Sequence, residues 1–451
     1  MLTLVLTLVL TLLGAPTVRA EGKGIYEPMP LKTRDAEIIK MANEMEELFQ
    51  RRAAILPDGP ETQLVRRIGA AVSPKAPTDS YERFRFAVID SPVPNAFALP
   101  DGQVYVHSGL LAILENEAQL AAVLAHECMH VEGHHSIVHA RQAREKAGGM
   151  LALSALLGPV GNLINIGFVA AIIGYGRDLE AEADRNAIPR ILDAGFDARE
   201  MPRVFELLDR DPEAEHLPVS AVWSDHPLGA ERRRYTSEIL DTLATSIDEA
   251  AAQGKIVVGR EGFLDQVKLI SEQTARDLIE ADRPRTALDI IHRLRDAYPA
   301  DPDVGVLLGD CLVALDARTP EPEPEELTKK AKRAKRKDQS TRAAYERART
   351  RLSAADAADA LSANRALAQA AYDQVLAISP EHLGALAGLG ALCEKRGADV
   401  DAGRYYGRYL QSAAPTNPMR STIVTRMKVL TERLKRAASP TPAPAHAGAT
   451  P

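Results

Sequence analysis

Two histidines and a glutamate stand in one short pattern, His126-Glu127-Cys128-Met129-His130. The segment before it, 119–125, is almost wholly apolar and has no Gly or Pro, which favours a helix. Residues four apart share a helical face, so His126 and His130 can both face one metal ion. Glu127 stays close enough to take a proton from a zinc-bound water as that water attacks a carbonyl group. The pattern predicts zinc-dependent hydrolysis, although two chance histidines on a surface helix would give the same spacing.

The third metal ligand has two candidate sources. The longer pattern HExxHxxGxxH is met by Gly133, but its third histidine would fall on Ser136. A later helical segment supplies Glu180 and Asp184, which share a face because they are four residues apart. We therefore predict one zinc ion per chain, held by both histidines and Glu180, with Asp184 orienting a ligand histidine. Glu182 should lie on the opposite side of that helix, toward solvent.

Two further blocks accompany these helices. Residues 94–111 contain Asn-Ala-Phe-Ala-Leu-Pro-Asp-Gly followed by Ser-Gly-Leu-Leu, and residues 224–228 are Ser-Asp-His-Pro-Leu, with Arg232 six residues after the histidine. In this order the four blocks resemble a zinc peptidase family that contains the CAAX prenyl endopeptidases, the HtpX heat-shock proteases and the periplasmic BepA-like protease-chaperones. The resemblance covers residues 36 to 240.

The resemblance implies roles for two residues that the spacing alone does not assign. His226 would lie near the metal, either as a reversible fourth ligand that keeps the enzyme latent or as a catalytic group that stabilises the oxyanion. A His-Pro pair is also common in purely structural positions, and the sequence does not separate these three alternatives. Arg232 is then a candidate for pairing with a carboxylate beside the metal.

Alternating residues predict strands at 83–89 and 103–107, and apolar periodicity predicts helices at 33–56 and 61–72. In peptidases of this type an edge strand beside the metal helix pairs with the substrate backbone. The resemblance assigns that role to Gln103, Val104, Tyr105 and Val106. An ordinary internal hairpin is the alternative.

Residues 1–20 are typical of a secretory signal peptide, with an apolar run at 2–14 and Val18-Arg19-Ala20 as a cleavage site. Residues 147–176 contain no charged residue, and the segment is broken by Gly158-Pro159 and Gly161. Each apolar arm is too short to span a bilayer. We expect two short helices that cover the active site, with peripheral membrane contact as an addition; the alternative is an apolar hairpin that dips into a membrane surface.

From residue 256 to 436 the spacing of small and large residues is typical of tetratricopeptide-like helix pairs, most clearly between Pro380 and Pro415. A charged insertion at 319–345 interrupts the middle repeat, and the tail at 437–451 has the composition of a disordered segment. Cys311 and Cys393 occupy similar positions in neighbouring repeats, and we expect core thiols rather than a bridge. Cys128 points away from the metal face.

The 451 residues carry a net charge of −7, which gives no reason to expect nucleic-acid binding. The predicted fold is mainly α: residues 21–255 form an α+β metallopeptidase domain with a small sheet beside the HExxH helix, and an all-α solenoid follows. The resemblance implies a periplasmic zinc endopeptidase that cleaves misfolded or stalled envelope proteins, with repeats that bind substrates or the outer-membrane assembly machinery. The alternative is a mostly latent metallopeptidase that acts as a chaperone or scaffold in outer-membrane protein assembly.

Overall fold

The computed structural model describes residues 54–74, 84–138, 176–209, 229–317 and 354–438, together with positions 40, 47, 50 and 51. Several predictions fall outside these residues. They are the signal peptide, most of the helix at 33–56, the apolar segment before Gly176, His226, the charged insertion and the tail after Ala438.

The metallopeptidase half consists of six helices, one 3-10 turn and three strands among the described residues. Their bounds are α1 Pro60–Val72, β1 Arg85–Ile89, β2 Ala96–Ala98, β3 Gln103–His107, α2 Ser108–Ile113, α3 Glu117–Glu132, α4 Arg177–Asp193, the 3-10 turn Ala198–Glu200, α5 Met201–Asp209 and α6 Gly229–Ala252. The strands predicted at 83–89 and 103–107 and the helix predicted at 61–72 are confirmed.

The three strands form one sheet in the order β1-β3-β2. β3 pairs in parallel with β1, where Arg85 lies opposite Gln103, and antiparallel with β2, where Phe97 lies opposite Tyr105. β3 is therefore the central strand, and its backbone groups are used on both sides. The prediction that Gln103, Val104, Tyr105 and Val106 form an edge strand for substrate is wrong. The outer strand that packs against α3 is β2.

The helix α3, which carries the HExxH pattern, is buried along its length from Ala118 to Glu132. The sheet and α1 pack against it together with α4 and α5, and their apolar side chains form one continuous core with it. Because neighbours surround α3, it is apolar on nearly every face. The polar side chains that it buries are Gln119, His126, Glu127, His130 and Glu132.

The second half is a series of antiparallel helices, and the predicted fold class, mainly α with a small sheet and an all-α C-terminal solenoid, is confirmed. Close packing between repeats depends on glycine: a Cβ at Gly309 or Gly388 would lie 2.4 Å from the ring of Tyr372. The helices are α7 Phe263–Glu280, α8 Pro284–Ala297, α9 Pro302–Ala317, α10 Ala354–Ile378, α11 Leu383–Lys395, α12 Asp399–Ser412 and α13 Arg420–Ala438.

The segment that joins the two halves holds the start of α3. The carbonyl oxygens of Val258 and Gly259 accept hydrogen bonds from the amides of Ala118 and Glu117, both at 3.0 Å. These are two of the first-turn amides that a helix cannot satisfy internally. Gly259 has φ +69°, and a Cβ there would lie 2.8 Å from Glu117 Cβ, so the close approach requires glycine.

Cys128, Cys311 and Cys393 are all buried free thiols, as expected. Cys311 Sγ lies 3.0 Å from the carbonyl oxygen of Pro284. None of the helices in the described ranges combines the length and apolar character needed to cross a membrane.

Candidate metal centre

Three side chains from two helices bring metal-binding atoms together. His126 and His130 lie one turn apart on α3, and Glu180 comes from the first turn of α4. Their candidate ligand atoms all lie within 4.8 Å of one another. His126 Nε2 is 2.9 Å from His130 Nε2, and the two carboxylate oxygens of Glu180 lie 3.5 and 3.4 Å from these nitrogens. The predicted ligands therefore converge, with exposed fractions of only 1–2%.

Asp184 lies one turn after Glu180 and contacts the other side of His126. Its Oδ1 is 2.8 Å from His126 Nδ1. A carboxylate in that place accepts the Nδ1 proton and leaves Nε2 free to bind a metal. This is the geometry expected for a residue that orients a ligand histidine.

Arg232, from the first turn of α6, joins the two carboxylates. Its Nε and Nη2 donate to Asp184 at 2.8 and 2.6 Å, and its Nη1 lies 2.9 Å from Glu180 Oε2. The guanidinium also stacks 4.5 Å from the centre of the Phe205 ring. Tyr235, three residues further along α6, donates its hydroxyl proton to Asp184. Arg232 thus pairs with the site carboxylates, as the resemblance implied.

The charges of this cluster shift the pKa values of its members. Burial and the Arg232 charge oppose protonation of His126, but Asp184 and Glu180 outweigh both and raise its pKa to about 9. Burial alone would raise the pKa of Asp184, yet Arg232 and His126 hold it well below its usual range. Burial and the neighbouring His126 lower the pKa of His130 well below 6.5. The cluster therefore attracts positive charge at His126 and keeps His130 neutral.

The donor types and the charge balance fit a zinc ion. Two imidazoles and one carboxylate form a set that catalytic zinc sites use. Glu127, Glu180, Asp184 and Arg232 are at most 3% exposed. When His126 loses its proton to serve as a neutral ligand, three ionised carboxylates and one guanidinium leave two negative charges, which a divalent cation would neutralise. Uncompensated charges are costly to bury, so this balance favours a metal here.

The chain after α3 brings a further histidine to the site. α3 ends at Glu132, and His134 has the left-handed backbone angle φ 53°. The next residue, His135, turns back so that its Nδ1 lies 2.8 Å from His130 Nδ1. Arg190 of α4 pairs with Glu132 through two hydrogen bonds and so fixes the end of α3 against α4.

Sequence analysis did not identify Tyr235 or His135 as part of this site. Tyr235 lies three residues after Arg232, so helical spacing could have placed both on one face. His135 lies one position before Ser136, where the longer zinc pattern would require its third histidine, so that pattern does not point to it. Glu182, predicted to face solvent, is 40% exposed, although its carboxylate lies 4.0 Å from His135 Nε2. His226 lies outside the described residues.

Residues 60–239 match the family model described as peptidase family M48. That range contains the ligand, carboxylate and arginine positions described above. The resemblance to the HtpX-type peptidase family, drawn from the sequence motifs, is therefore confirmed for the domain at residues 60–239.

Named relatives agree with this match. The beta-barrel assembly-enhancing protease of Escherichia coli K12 is 31% identical over 181 residues, which cover 37% of this chain and 35% of that protein. A Vibrio cholerae relative described with the same activity is 30% identical over 251 residues, covering 52% of this chain and 48% of the relative. The mitochondrial metalloendopeptidase OMA1 of Schizosaccharomyces pombe is 32% identical over 162 residues, which cover 35% of this chain and 47% of that protein. The chain thus spans about half or less of the relatives' length.

Proposed function

Because residues 60–239 are a domain of peptidase family M48, we propose that this chain is a zinc-dependent endopeptidase of the bacterial cell envelope. The observation that carries this proposal is the convergence of His126, His130 and Glu180 within 4.8 Å of one another. The negative charge that surrounds them and the presence of Glu127 on the same helix support a hydrolytic metal site over a structural one.

Each residue of the centre has a proposed task. When bound, zinc would polarise the substrate carbonyl and lower the pKa of a water to about 7. Glu127 accepts a proton from the attacking water and passes it to the leaving amine when the peptide bond breaks. Asp184 keeps the Nδ1 proton of His126 in place. Arg232 pairs with both Asp184 and Glu180, and its charge helps to hold the pKa of Asp184 well below the usual range.

The substrate backbone needs a partner strand, and β2 is better placed than β3. β2 is the outer strand of the sheet among the described residues and packs against α3. An extended peptide that added to β2 would run beside the metal helix, as in other cases of strand addition. We assign the pairing role to Ala96–Ala98 for this reason.

We propose that the N-terminal signal peptide of this chain directs it to the periplasm. Its proposed substrates there are misfolded or stalled envelope proteins. Two relatives are described as beta-barrel assembly-enhancing proteases, which supports outer-membrane assembly as the setting. The antiparallel helices after residue 262 offer a surface for a substrate or for an assembly partner. His226 remains a proposed regulator or oxyanion stabiliser.

A second function is favoured by the burial of the site. The three ligand side chains are 1–2% exposed, and the residues of β2 are at most 7% exposed. A substrate can reach neither without a rearrangement. A mostly latent peptidase that acts chiefly as a chaperone or scaffold would show this closed arrangement.

The test compares purified wild type with Glu127→Gln and with Glu238→Gln, a matched change at an exposed site on α6 that pairs only with Arg234 among the contacts observed. Zinc content and casein cleavage are measured for each. We expect one zinc per chain in all three proteins. Cleavage should fall by about 10² to 10⁴-fold in Glu127→Gln and stay at the wild-type rate in Glu238→Gln.

Different outcomes separate the two functions. Zinc in all proteins with cleavage lost only in Glu127→Gln supports the endopeptidase. Zinc without cleavage in the wild type supports the latent scaffold, which is then tested by suppression of the aggregation of an unfolded outer-membrane protein. Absence of zinc from the wild type after reconstitution would overturn the proposed metal site.

A further inference from the structure

The two histidine ligands are supported by different kinds of side chain. His126 has the Asp184 carboxylate at its Nδ1, 2.8 Å away. His130 has another histidine in the corresponding place, because His135 Nδ1 lies 2.8 Å from His130 Nδ1. The His130 and His135 rings are nearly perpendicular, with centres 4.9 Å apart, and both residues are 1% exposed.

The direction of the His130–His135 hydrogen bond follows from the metal site. His130 presents Nε2 to the other ligands, 2.9 Å from His126 Nε2 and 3.4 Å from Glu180 Oε1. A neutral imidazole that uses Nε2 as a ligand carries its proton on Nδ1. His130 is then the donor, and His135 Nδ1 must be the acceptor. His135 therefore carries its own proton on Nε2.

The surroundings of His135 match that tautomer. Its Nε2 faces the Glu182 carboxylate of α4 at 4.0 Å. A carboxylate on that side favours a protonated Nε2 and so keeps Nδ1 available as an acceptor. Glu182 and Glu180 belong to the same helix, so α4 supplies both a ligand and the group that faces His135.

The backbone after α3 is built to hold His135 in this place. His134 adopts φ 53°, a conformation that only a small fraction of non-glycine residues show. It separates the end of α3 from the next helical turn, and His135, the first residue of that turn, contacts His130 of α3. A new helical turn, 135–138, begins at once, and the amide of Val138 donates to the carbonyl oxygen of His134 at 2.9 Å.

We propose that His135 is a positioning residue for the metal centre: its Nδ1 accepts the Nδ1 proton of His130 and thereby fixes the Nε2 tautomer that binds the metal. This inference rests on the proposed zinc site. It assigns His135 a role in metal affinity rather than contact with the substrate. Such outer hydrogen-bond partners are worth roughly 10 to 100-fold in metal affinity.

The experiment measures zinc binding in two variants of His135. The two variants place the side-chain amide oxygen at different distances from the backbone. In His135→Asn the side-chain oxygen can stand where Nδ1 stood and accept the proton of His130. In His135→Gln the amide lies one methylene further out, near the former Nε2, and no acceptor remains at the Nδ1 position. His134→Asn is the control, because asparagine tolerates the left-handed conformation. Zinc dissociation constants are measured by chelator competition on the full chain.

We expect zinc affinity to fall about 10 to 100-fold in His135→Gln and to stay within about threefold of wild type in His135→Asn and His134→Asn. The thermal unfolding midpoint of the metal-free protein should be alike in all four proteins, since a purely structural role would lower it. Cobalt substitution should give an altered ligand-field spectrum in His135→Gln alone.

Wild-type affinity in His135→Gln would overturn the proposal and leave the zinc site intact. Equal loss in His135→Gln and His135→Asn, or in His134→Asn, would overturn it as well, because the loss would then follow from disturbance of the turn. A wild-type protein that binds no zinc would instead overturn the proposed function, and the role of His135 with it.

Discussion

Arg293, in α8, donates a 2.7 Å hydrogen bond to the carbonyl oxygen of Leu114 in the metallopeptidase domain. The same guanidinium donates to the carbonyl oxygen of Ala112. These oxygens lie at the end of α2, and Asn116, two residues after Leu114, caps α3 by accepting from the amide of Gln119. One arginine thus attaches the repeats to the chain that leads directly into the metal helix.

Replacing Arg293 with Met should lower the free energy of unfolding by about 2–6 kcal/mol. The change removes both donors and leaves two buried carbonyl oxygens without them, at roughly 1–3 kcal/mol each. Urea unfolding of the metal-free chain measures the loss. Arg295→Met, an exposed change on the same helix, should alter stability by less than about 0.5 kcal/mol. Equal stability of the two variants would contradict the coupling inferred here.

The ligand pair on α3 could be predicted because it depends only on local spacing. His126 and His130 are four residues apart, and any regular helix places them on one face. The same argument paired Glu180 with Asp184 on α4. Bringing α3 and α4 together required knowledge of the family motifs, since spacing within a helix does not say which helices pack.

Strand order could not be predicted in this way. Alternation located β1 and β3, but the position of a strand within a sheet depends on pairing between residues far apart in the chain. β1 pairs in parallel with β3, and β2, which lies between them in sequence, occupies the outer position. The assignment of Gln103–Val106 as a substrate edge failed for this reason.

His135 was missed for a different reason. The pattern HExxHxxGxxH requires its third histidine at position 136 and does not address other histidines nearby. The helix ends at Glu132, and the left-handed residue His134 interrupts it before His135. Non-glycine residues seldom adopt that conformation, so the local sequence gave little reason to expect it. The contact between His130 and His135 arises from that turn.

Asp184→Asn should weaken both zinc binding and folding. Asn keeps one acceptor oxygen but removes the charge that balances the buried Arg232. Breaking a buried ion pair by removing one partner costs roughly 3–5 kcal/mol, and the metal-free protein should lose about that much unfolding free energy. Zinc affinity should fall about 10 to 100-fold because His126 loses its orienting carboxylate.

Tyr235→Phe is the matched control for Asp184→Asn. It removes one hydroxyl donor from Asp184 and leaves the Arg232 ion pair in place. The loss should be about 1 kcal/mol of unfolding free energy. Chelator competition and urea unfolding of both variants measure the difference. An equal loss of unfolding free energy and zinc affinity in Tyr235→Phe and Asp184→Asn would contradict the view that the Asp184–Arg232 ion pair stabilises this side of the site.

The last prediction concerns His107, at the end of the central strand. It is buried, and its Nδ1 donates to the carbonyl oxygen of Val93 at 3.0 Å. Burial lowers its pKa to about 4, and the bond to Val93 only partly offsets that effect. An unfolded histidine titrates near 6.5, so between about pH 6.5 and 4 the unfolded chain binds more protons than the folded one. The contribution of His107 to stability is full above pH 6.5 and is lost as the pH falls toward 4.

His107→Asn separates this effect from the other titrating groups. Its side-chain amide can donate to Val93 in place of Nδ1, but it cannot take up a proton. Comparing urea unfolding of the metal-free wild type and variant at pH 7.5 and pH 4.5 cancels the contributions that the two proteins share. The variant should gain on the order of 2–3 kcal/mol relative to wild type at the lower pH. A stability difference that is the same at both pH values would show that His107 is protonated alike in the folded and unfolded chains, and that its burial does not make the sheet sensitive to acid.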